Sequence, residues 1–238
     1  MKNKFLLLAF FLLAIPAYAV QPDSTDNKLH LKILGRPVIA VADFGRGDFR
    51  NDIQSIQGFP SIQIPHYAFG AEAQIGWYSP QRWGFGLEFS GLHNGDFWSP
   101  KHQKSGFIMN QWTLGAYGEY ALFKSEKFEI IGQLSAGVAF NSFHIDNFQA
   151  LNADLIAIPD YLASARSLDM KQRTQGYVGI GFSFNWNITQ DFGIGFHVKW
   201  SQQIGRGRWY LGNSDIRMDG ISNSKFVPLQ FGISLFFR

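Results

Sequence analysis

The sequence predicts an all-β fold: an eight-stranded antiparallel up-and-down barrel with its apolar side chains turned outward. Three observations predict it. First, apolar residues alternate with small or polar ones in segment after segment from residue 66 to the C-terminus. Val178, Ile180, Phe182, Phe184, Trp186 and Ile188 interleave with Gly179, Gly181, Ser183, Asn185 and Asn187. A period of two describes a strand with two unlike faces. Second, the connections between these segments alternate strictly between short and long. That is the pattern of a transmembrane barrel with an even strand number, short periplasmic turns and long extracellular loops. Third, aromatics make up 16% of the chain, with 24 Phe and 7 Trp beside 25 Gly. A soluble sandwich would have to bury the bulky set against itself and leave the small set in water. A wall that faces lipid around a narrow lumen suits both sets.

The N-terminus reads as an export signal. Met1-Lys2-Asn3-Lys4 is basic, Phe5 to Ile15 is an unbroken apolar run, and Pro16-Ala17-Tyr18-Ala19 supplies an Ala-x-Ala end. This is the layout of a cleaved signal peptide, and the run is shorter than the roughly 20 residues of a spanning helix. The expected organisation is a signal peptide over 1–19, an N-terminal periplasmic segment over 20–35 and the barrel over 36–238. There is no cysteine, so disulfides, thiolate metal sites and an N-terminal lipidated Cys are excluded. Removing Lys2 and Lys4 lowers the Lys and Arg count from 21 to 19 against 18 acids. That balance gives no electrostatic case for nucleic acid.

The strands are expected at 36–45, 66–78, 82–93, 106–122, 128–143, 174–188, 192–204 and 226–237. Ser79-Pro80-Gln81, Lys124-Ser125-Glu126-Lys127 and Thr189-Gln190-Asp191 are the tight turns. The segments 46–65, 94–105, 144–173 and 205–225 are the long loops. In the first strand, an inward Asp43 puts Val38, Ala40, Ala42 and Phe44 outward. In the second, Tyr67, Phe69, Ile75 and Trp77 face out, with Glu72 and Gln74 in. In the third, Phe85, Leu87 and Phe89 oppose Glu88 and Ser90. In the fourth, Trp112, Leu114 and Tyr120 oppose Gln111, Tyr117 and Glu119. In the fifth, Leu134, Val138 and Phe140 oppose Glu129, Gln133 and Asn141. The sixth follows the alternation quoted above. In the seventh, Ile194, Phe196 and Trp200 oppose His197, Lys199 and Ser201. In the last, Phe231, Ile233 and Leu235 oppose Gln230, Gly232 and Ser234.

Aromatics bracket each tight turn: Trp77, Tyr78 and Trp83 at the first, Tyr120, Phe123 and Phe128 at the second, Trp186 and Phe192 at the third. Rings that are apolar with one polar edge settle at a membrane interface. The last strand, Gln230-Phe231-Gly232-Ile233-Ser234-Leu235-Phe236-Phe237-Arg238, alternates and has a penultimate aromatic. Over about residues 30 to 238 the chain resembles the small eight-stranded bacterial outer-membrane proteins, the class of the OmpA transmembrane domain, OmpX and OmpW. The last strand resembles the C-terminal assembly signal of that class, although Arg238 follows the aromatic. The resemblance implies residence in the bacterial outer membrane, insertion by the barrel-assembly machinery through that strand, and contact with outer-membrane lipid and lipopolysaccharide. It implies no single activity, since one fold hosts many.

Candidate sites fall into two groups. By phase, Glu72, Glu88, Glu119, Glu129, His197 and Lys199 point into the lumen. They would form either an ion relay or an internal network that plugs the barrel. Eight strands enclose only enough room for side chains, and buried charges must pair or stay wet, which favours the plug. Four carboxylates facing one Lys call for trapped water or a protonated Glu. The second group lies in the long loops. Trp98 and Lys101 in one, and Arg206, Arg208, Trp209 and Tyr210 in another, mix cations with aromatics and are candidates for lipopolysaccharide phosphates or an outside partner. The loop over 144–173 is rich in apolar residues from Phe148 to Leu162 and is expected to fold partly as a helix over the mouth.

No cofactor is expected. The Gly-x-Gly pairs at Gly84 and Gly86, Gly179 and Gly181, and Gly193 and Gly195 sit mid-strand, whereas a phosphate cradle needs a strand-to-helix turn. No metal is expected, because the six His show no ligand spacing. His197 and Ser201 share a face, but four residues along a strand span about 13 Å, too far for proton transfer. The reading is a non-enzymatic, monomeric outer-membrane barrel with a filled lumen, whose loops support surface interaction or passage of small apolar solutes. The alternatives are a lipid A-modifying hydrolase or acyltransferase, and a soluble periplasmic barrel that binds an apolar ligand inside.

Overall fold

The computed structural model describes residues 17–18, 29–43, 67–79, 81–95, 105–147, 167–189, 192–205, 207–212, 214–217 and 227–237. The strands in chain order are β1 (Ala17–Tyr18), β2 (His30–Asp43), β3 (Tyr67–Tyr78), β4 (Trp83–Gly95), β5 (Ser105–Lys124) and β6 (Phe128–Asn147). They continue with β7 (Ser167–Gln172), β8 (Gln175–Asn187), β9 (Phe192–Ile204), β10 (Trp209–Leu211) and β11 (Val227–Phe237). Eight of them form a closed antiparallel wall in the order β2-β3-β4-β5-β6-β8-β9-β11. Closure comes from β11 against β2, with Phe231 opposite Ile39 and Gly232 opposite Val38. The short strand β1 lies parallel to the end of β11.

The wall is apolar outside and polar inside. Leu134 is 66% exposed and Ile233 57%, whereas Glu72 and Glu88 are 1% exposed. Phe182, Phe184 and Phe196 are on the outer face as well. Such a face is stable only where apolar solvent surrounds it, because a soluble domain rarely leaves so large a continuous patch in water.

Each tight turn uses the same local device. Ser79 Oγ accepts from the Gln81 N–H at 3.1 Å, Ser125 Oγ from the Phe128 N–H at 3.0 Å, and Thr189 Oγ1 from the Phe192 N–H at 3.0 Å. A hydroxyl two or three residues ahead of an orphan amide is a standard turn-former. In the first turn Arg82 takes φ 80, a left-handed conformation costly for a residue with a Cβ.

The wall is taller on one side. β5 and β6 have 20 residues each, against 13 in β4, β8 and β9. β6 pairs with β8 from Phe128 to Ala139 and then with β7 from Ser142 to Asp146. So β7 continues the stave begun by β8, beyond a break at Arg173 and Thr174. β10 adds to the free side of β7, with Trp209 opposite Gln172 and Tyr210 opposite Lys171. Residues expected in two long loops thus build a sheet that rises past the barrel rim at the end away from the turns.

Two expectations for the first strand are corrected. β2 starts at His30 rather than at 36, so residues 30–35 belong to the wall. Its phase is also opposite: Val38 is 2% exposed and Ala40 is buried, while Ile39 is 49% exposed. The alternation is blurred here because Leu34, Val38 and Ala40 face in while Pro37 faces out. In the loop over 144–173, residues 144–147 continue β6 and 167–172 form β7. The expected helix between Phe148 and Leu162 lies outside the described residues.

Candidate functional site

The lumen is built in layers. At its centre five side chains close a ring. Glu72 Oε1 accepts from the Gln74 amide at 2.7 Å, and Gln74 also donates to Gln133 Oε1 at 3.2 Å. Gln133 donates to Glu88 Oε2 at 2.8 Å. Lys199 Nζ donates to Glu88 Oε1 at 2.5 Å and stands 3.7 Å from Glu72 Oε2, which closes the ring. Two residues attach to it from outside: the Arg36 guanidinium donates to Glu72 Oε1, and the Tyr177 hydroxyl donates to Glu88 Oε1 at 2.7 Å. Two cations meet two carboxylates, so the layer is neutral. Its members come from β2, β3, β4, β6, β8 and β9, and Lys199 and Glu88 are 111 residues apart in sequence.

Glycines make this reach possible. Gly115 lies directly opposite Glu88. A Cβ on Gly115 would sit 2.2 Å from the Tyr177 hydroxyl, so only glycine lets that ring cross to Glu88. A Cβ on Gly181 would lie 3.0 Å from His197 Cε1, so the Gly-x-Gly spacing makes room for lumen side chains.

Toward the turns lies a second ionic layer. Lys32 Nζ donates to both oxygens of Glu119, at 2.6 and 2.8 Å. The Tyr78 hydroxyl donates to Glu129 at 3.1 Å. Tyr78 therefore points into the lumen and is not part of the expected aromatic girdle. Trp77 and Trp83 do cluster outside around Phe85, each with its ring centroid 5.8 Å from that of Phe85.

Toward the outer end the chemistry changes twice. First comes an amide belt: Gln111 donates to Asn141 at 3.1 Å, Asn141 to Gln172 at 2.7 Å, and Gln172 to the Gly207 carbonyl at 3.0 Å. Around and above it Leu92, Met109, Phe143, Met170 and Trp209 are buried as a mainly apolar cap, with Leu92 level with Gln111, Trp209 level with Gln172 and Asn94 buried opposite Met109. Trp209 is 4% exposed, its ring 5.9 Å from that of Phe143. The cap is anchored by β10, which is bounded by the positive-φ residues Gly207 (φ 59) and Gly212 (φ 50).

The structure brings Glu72, Glu88 and Lys199 together and places Glu119 and Glu129 below them. His197 is buried beside this group. Its Nδ1 lies 2.8 Å from Ser183 Oγ, and its Nε2 has no hydrogen-bond partner among the described residues. Ser183, not Ser201, is thus its hydroxyl neighbour. Arg36 and Lys32 escape the sequence reading of the first strand, and they provide cations for Glu72 and Glu119. The signal that finds them is charge balance, since four inward carboxylates demand more than one cation. Of the loop candidates, Trp98, Lys101 and Arg206 lie outside the described residues. Arg208 and Tyr210 are half-buried. Trp209 turns inward as part of the cap, which corrects its expected place on the loop surface. Among the described residues no cluster of three His, Asp or Glu could hold a metal ion.

No family model and no curated protein matches the sequence. Solved structures resemble it in shape. A major outer membrane protein from Thermus thermophilus gives a TM-score of 0.51 at 10% identity, over 87% of this chain and 99% of that one. Ail, the attachment invasion locus protein of Yersinia pestis, gives 0.47 at 10% identity, over 86% and 96%. The outer membrane protease OmpT of Escherichia coli gives 0.44 at 12% identity, over 89% and 79%. The fold is that of the small outer-membrane β-barrels. At these identities the likeness is one of fold.

Proposed function

We propose that this chain is a monomeric, non-enzymatic protein of the bacterial outer membrane that works through its outer surface and not through its lumen. The observation that carries the reading is the stack of neutral ion-pair ring, amide belt and apolar cap. An ion that enters from outside meets the cap first, where it loses water among side chains that are apolar apart from Asn94. Beneath that it meets carboxylates already paired with Arg36 and Lys199. The same stack favours surface interaction over passage of apolar solutes, which the ionic ring would oppose. His197 and Ser183 face the lumen, away from any lipid substrate, which supports a non-catalytic role.

Export by cleavage after Ala19 would remove β1 from the end of β11. Insertion would proceed through the barrel-assembly machinery acting on β11, the strand that closes the wall. Surrounding lipid and lipopolysaccharide are the expected partners.

Three measurements test this. Membrane fractions washed with carbonate should retain the protein, and release without detergent would favour a soluble barrel. In planar bilayers the purified protein should show no large steady conductance. An open-pore trace would overturn the sealed lumen. Mass spectrometry of lipid A from cells with and without the protein should give the same spectrum, and a new acylation pattern would establish an enzyme.

A further inference from the structure

His197 is a titratable side chain of the lumen that the ion pairs leave out. It is 1% exposed, with Nδ1 2.8 Å from Ser183 Oγ and Nε2 without a hydrogen-bond partner among the described residues. Its ring lies between the two cations of the central layer. On one side Nε2 is 3.4 Å from where a Cβ on Gly181 would sit, and Gly181 is directly opposite Lys199. On the other side Gly232 is directly opposite His197, and the Arg36 stem passes over that glycine, with Cδ 3.1 Å from where a Cβ on Gly232 would sit. Lys199 is the next lumen residue on the same strand, about 7 Å along it. The charges that act on the imidazole are Arg36 and Lys32 from β2, Glu72 from β3 and Lys199 from β9. The strands that flank β9 bring Ser183, Gly181 and Gly232 against it, none of which ionises. The carboxylates are engaged elsewhere: Glu72 with Arg36 and Lys199, Glu88 with Lys199, and Glu119 with Lys32. Water reaches this level from the turn end, where the Lys32 side chain is 22% exposed and Ser183 and Asn185 are half-buried. From the outer end the amide belt and the cap intervene.

We propose that His197 is an acid-sensitive catch in the plug: a proton taken up from the turn end adds a third cation to the layer of Arg36 and Lys199 and loosens β8 and β9. A neutral imidazole carries one N–H and one acceptor nitrogen, whereas an imidazolium carries two N–H donors. Ser183 Oγ can accept one of them. The other, at Nε2, is a buried charged donor without an acceptor, which is costly. Glu72 is the one carboxylate that acts on the ring, and a turn toward His197 would draw it away from Arg36 and Lys199. By either route the neutral layer gains one positive charge and loses its closure. In the unfolded chain the same imidazole takes its proton in water at its ordinary value, about 6.5. Acid therefore favours the unfolded chain. Stability is complete above about pH 6.5 and falls below it, by up to about tenfold in the folding constant for each pH unit when one proton is linked. Ordinary carboxylates titrate at about 4, so the window down to about pH 5.5 belongs to histidine. The inference uses the lumen geometry alone and goes beyond the surface role proposed above.

The test uses the full exported chain in lipid vesicles, with urea unfolding at about pH 8 and about pH 5.5. Folding of each variant is checked at the higher pH by heat-modifiable gel mobility. Wild type should lose about tenfold in its folding constant at the lower pH. His197→Gln cannot take the proton and should keep the same constant at both. Deuterium uptake is then measured on peptides from β8 and β9. In acid, wild type should exchange faster than His197→Gln, and at the higher pH the two should match. Comparison at one pH cancels the intrinsic pH dependence of exchange and leaves local opening. Where His197→Gln does not fold, His197→Asn keeps a polar atom for Ser183 and takes its place. A chain with His30, His66, His93, His102 and His144 all changed to Gln, and His197 its one histidine, must retain the acid loss. An acid loss of equal size in wild type and the His197 variant overturns the proposal. So does its disappearance from the chain that keeps only His197. Equal deuterium uptake in acid refutes the loosening of β8 and β9.

Discussion

Lys199→Met is the sharpest probe of the lumen. Lys199 is 2% exposed, and its ammonium lies 2.5 Å from Glu88 and 3.7 Å from Glu72. With an effective dielectric of about 20, Coulomb's law gives attractions of about 7 and about 4 kcal/mol at those separations. Desolvation of the buried ions offsets much of this, at several kcal/mol per ion. Methionine keeps the unbranched stem and removes the ammonium, with its charge and its donors. What remains is a ring with two carboxylates and one guanidinium, and an excess buried charge. Breaking a buried pair in this way costs about 3–5 kcal/mol, which is two to four decades in the folding equilibrium. Glu88→Gln added to Lys199→Met restores neutrality and keeps an acceptor for Tyr177, so the double variant should recover most of the loss. The assay is urea unfolding in lipid vesicles, followed by tryptophan fluorescence and by gel mobility. If Lys199→Met costs under about 1 kcal/mol, the ring is wet or loosely held and the sealed-lumen argument fails. The same conclusion follows if the double variant is as unstable as the single one.

Further outcomes follow from single contacts. Gly115→Ala places a Cβ 2.2 Å from the Tyr177 hydroxyl and 2.6 Å from the Ala136 carbonyl. It should cost about 1–3 kcal/mol in urea titrations, and less than additively in a Tyr177→Phe background. Arg82→Gly relieves the left-handed φ of 80 and should raise the urea midpoint by the equivalent of about 0.5–1 kcal/mol. A midpoint that falls would show that the Arg82 side chain holds the turn. Phe182→Lys puts a charge on the exposed outer wall and should lower stability in vesicles by about 2–4 kcal/mol. An unchanged value would mean that this face does not meet lipid.

The period of two is enough to read seven of the eight staves and all three turns. In those strands bulky and small residues separate cleanly onto two faces, and the turn hydroxyls are local in sequence. β2 defeats the same reading because neither of its faces is uniform. Leu34, Val38 and Ala40 go inward beside Lys32 and Arg36, while Gly35 and Pro37 go out. Phase then hangs on a single residue, Asp43, at the strand end, where one charge is a weak constraint. The cap is hidden for a different reason. A loop with Arg208, Trp209 and Tyr210 has the same composition whichever ring turns inward. Only the pairing of β10 with β7, between segments far apart in sequence, decides that Trp209 reaches Phe143.

The order of the lumen layers bears directly on where the chain can act. A conducting path needs ligands of one kind repeated along its length, so that an ion leaves each site for a similar one. Here the next site is always unlike the last. The ionic layer of Glu72, Glu88, Arg36 and Lys199 is neutral, with each carboxylate paired to a cation. The belt of Gln111, Asn141 and Gln172 spends its amides on one another and on the Gly207 carbonyl. The cap is apolar apart from Asn94, which is buried opposite Met109. On the proposed reading each layer closes the lumen by itself, so Trp209→Ala should loosen the mouth without creating conductance in planar bilayers. The tall strands β5 and β6, and the sheet they support, rise beyond these layers. In that sheet one set of side chains faces the cap and the alternate set faces the leaflet.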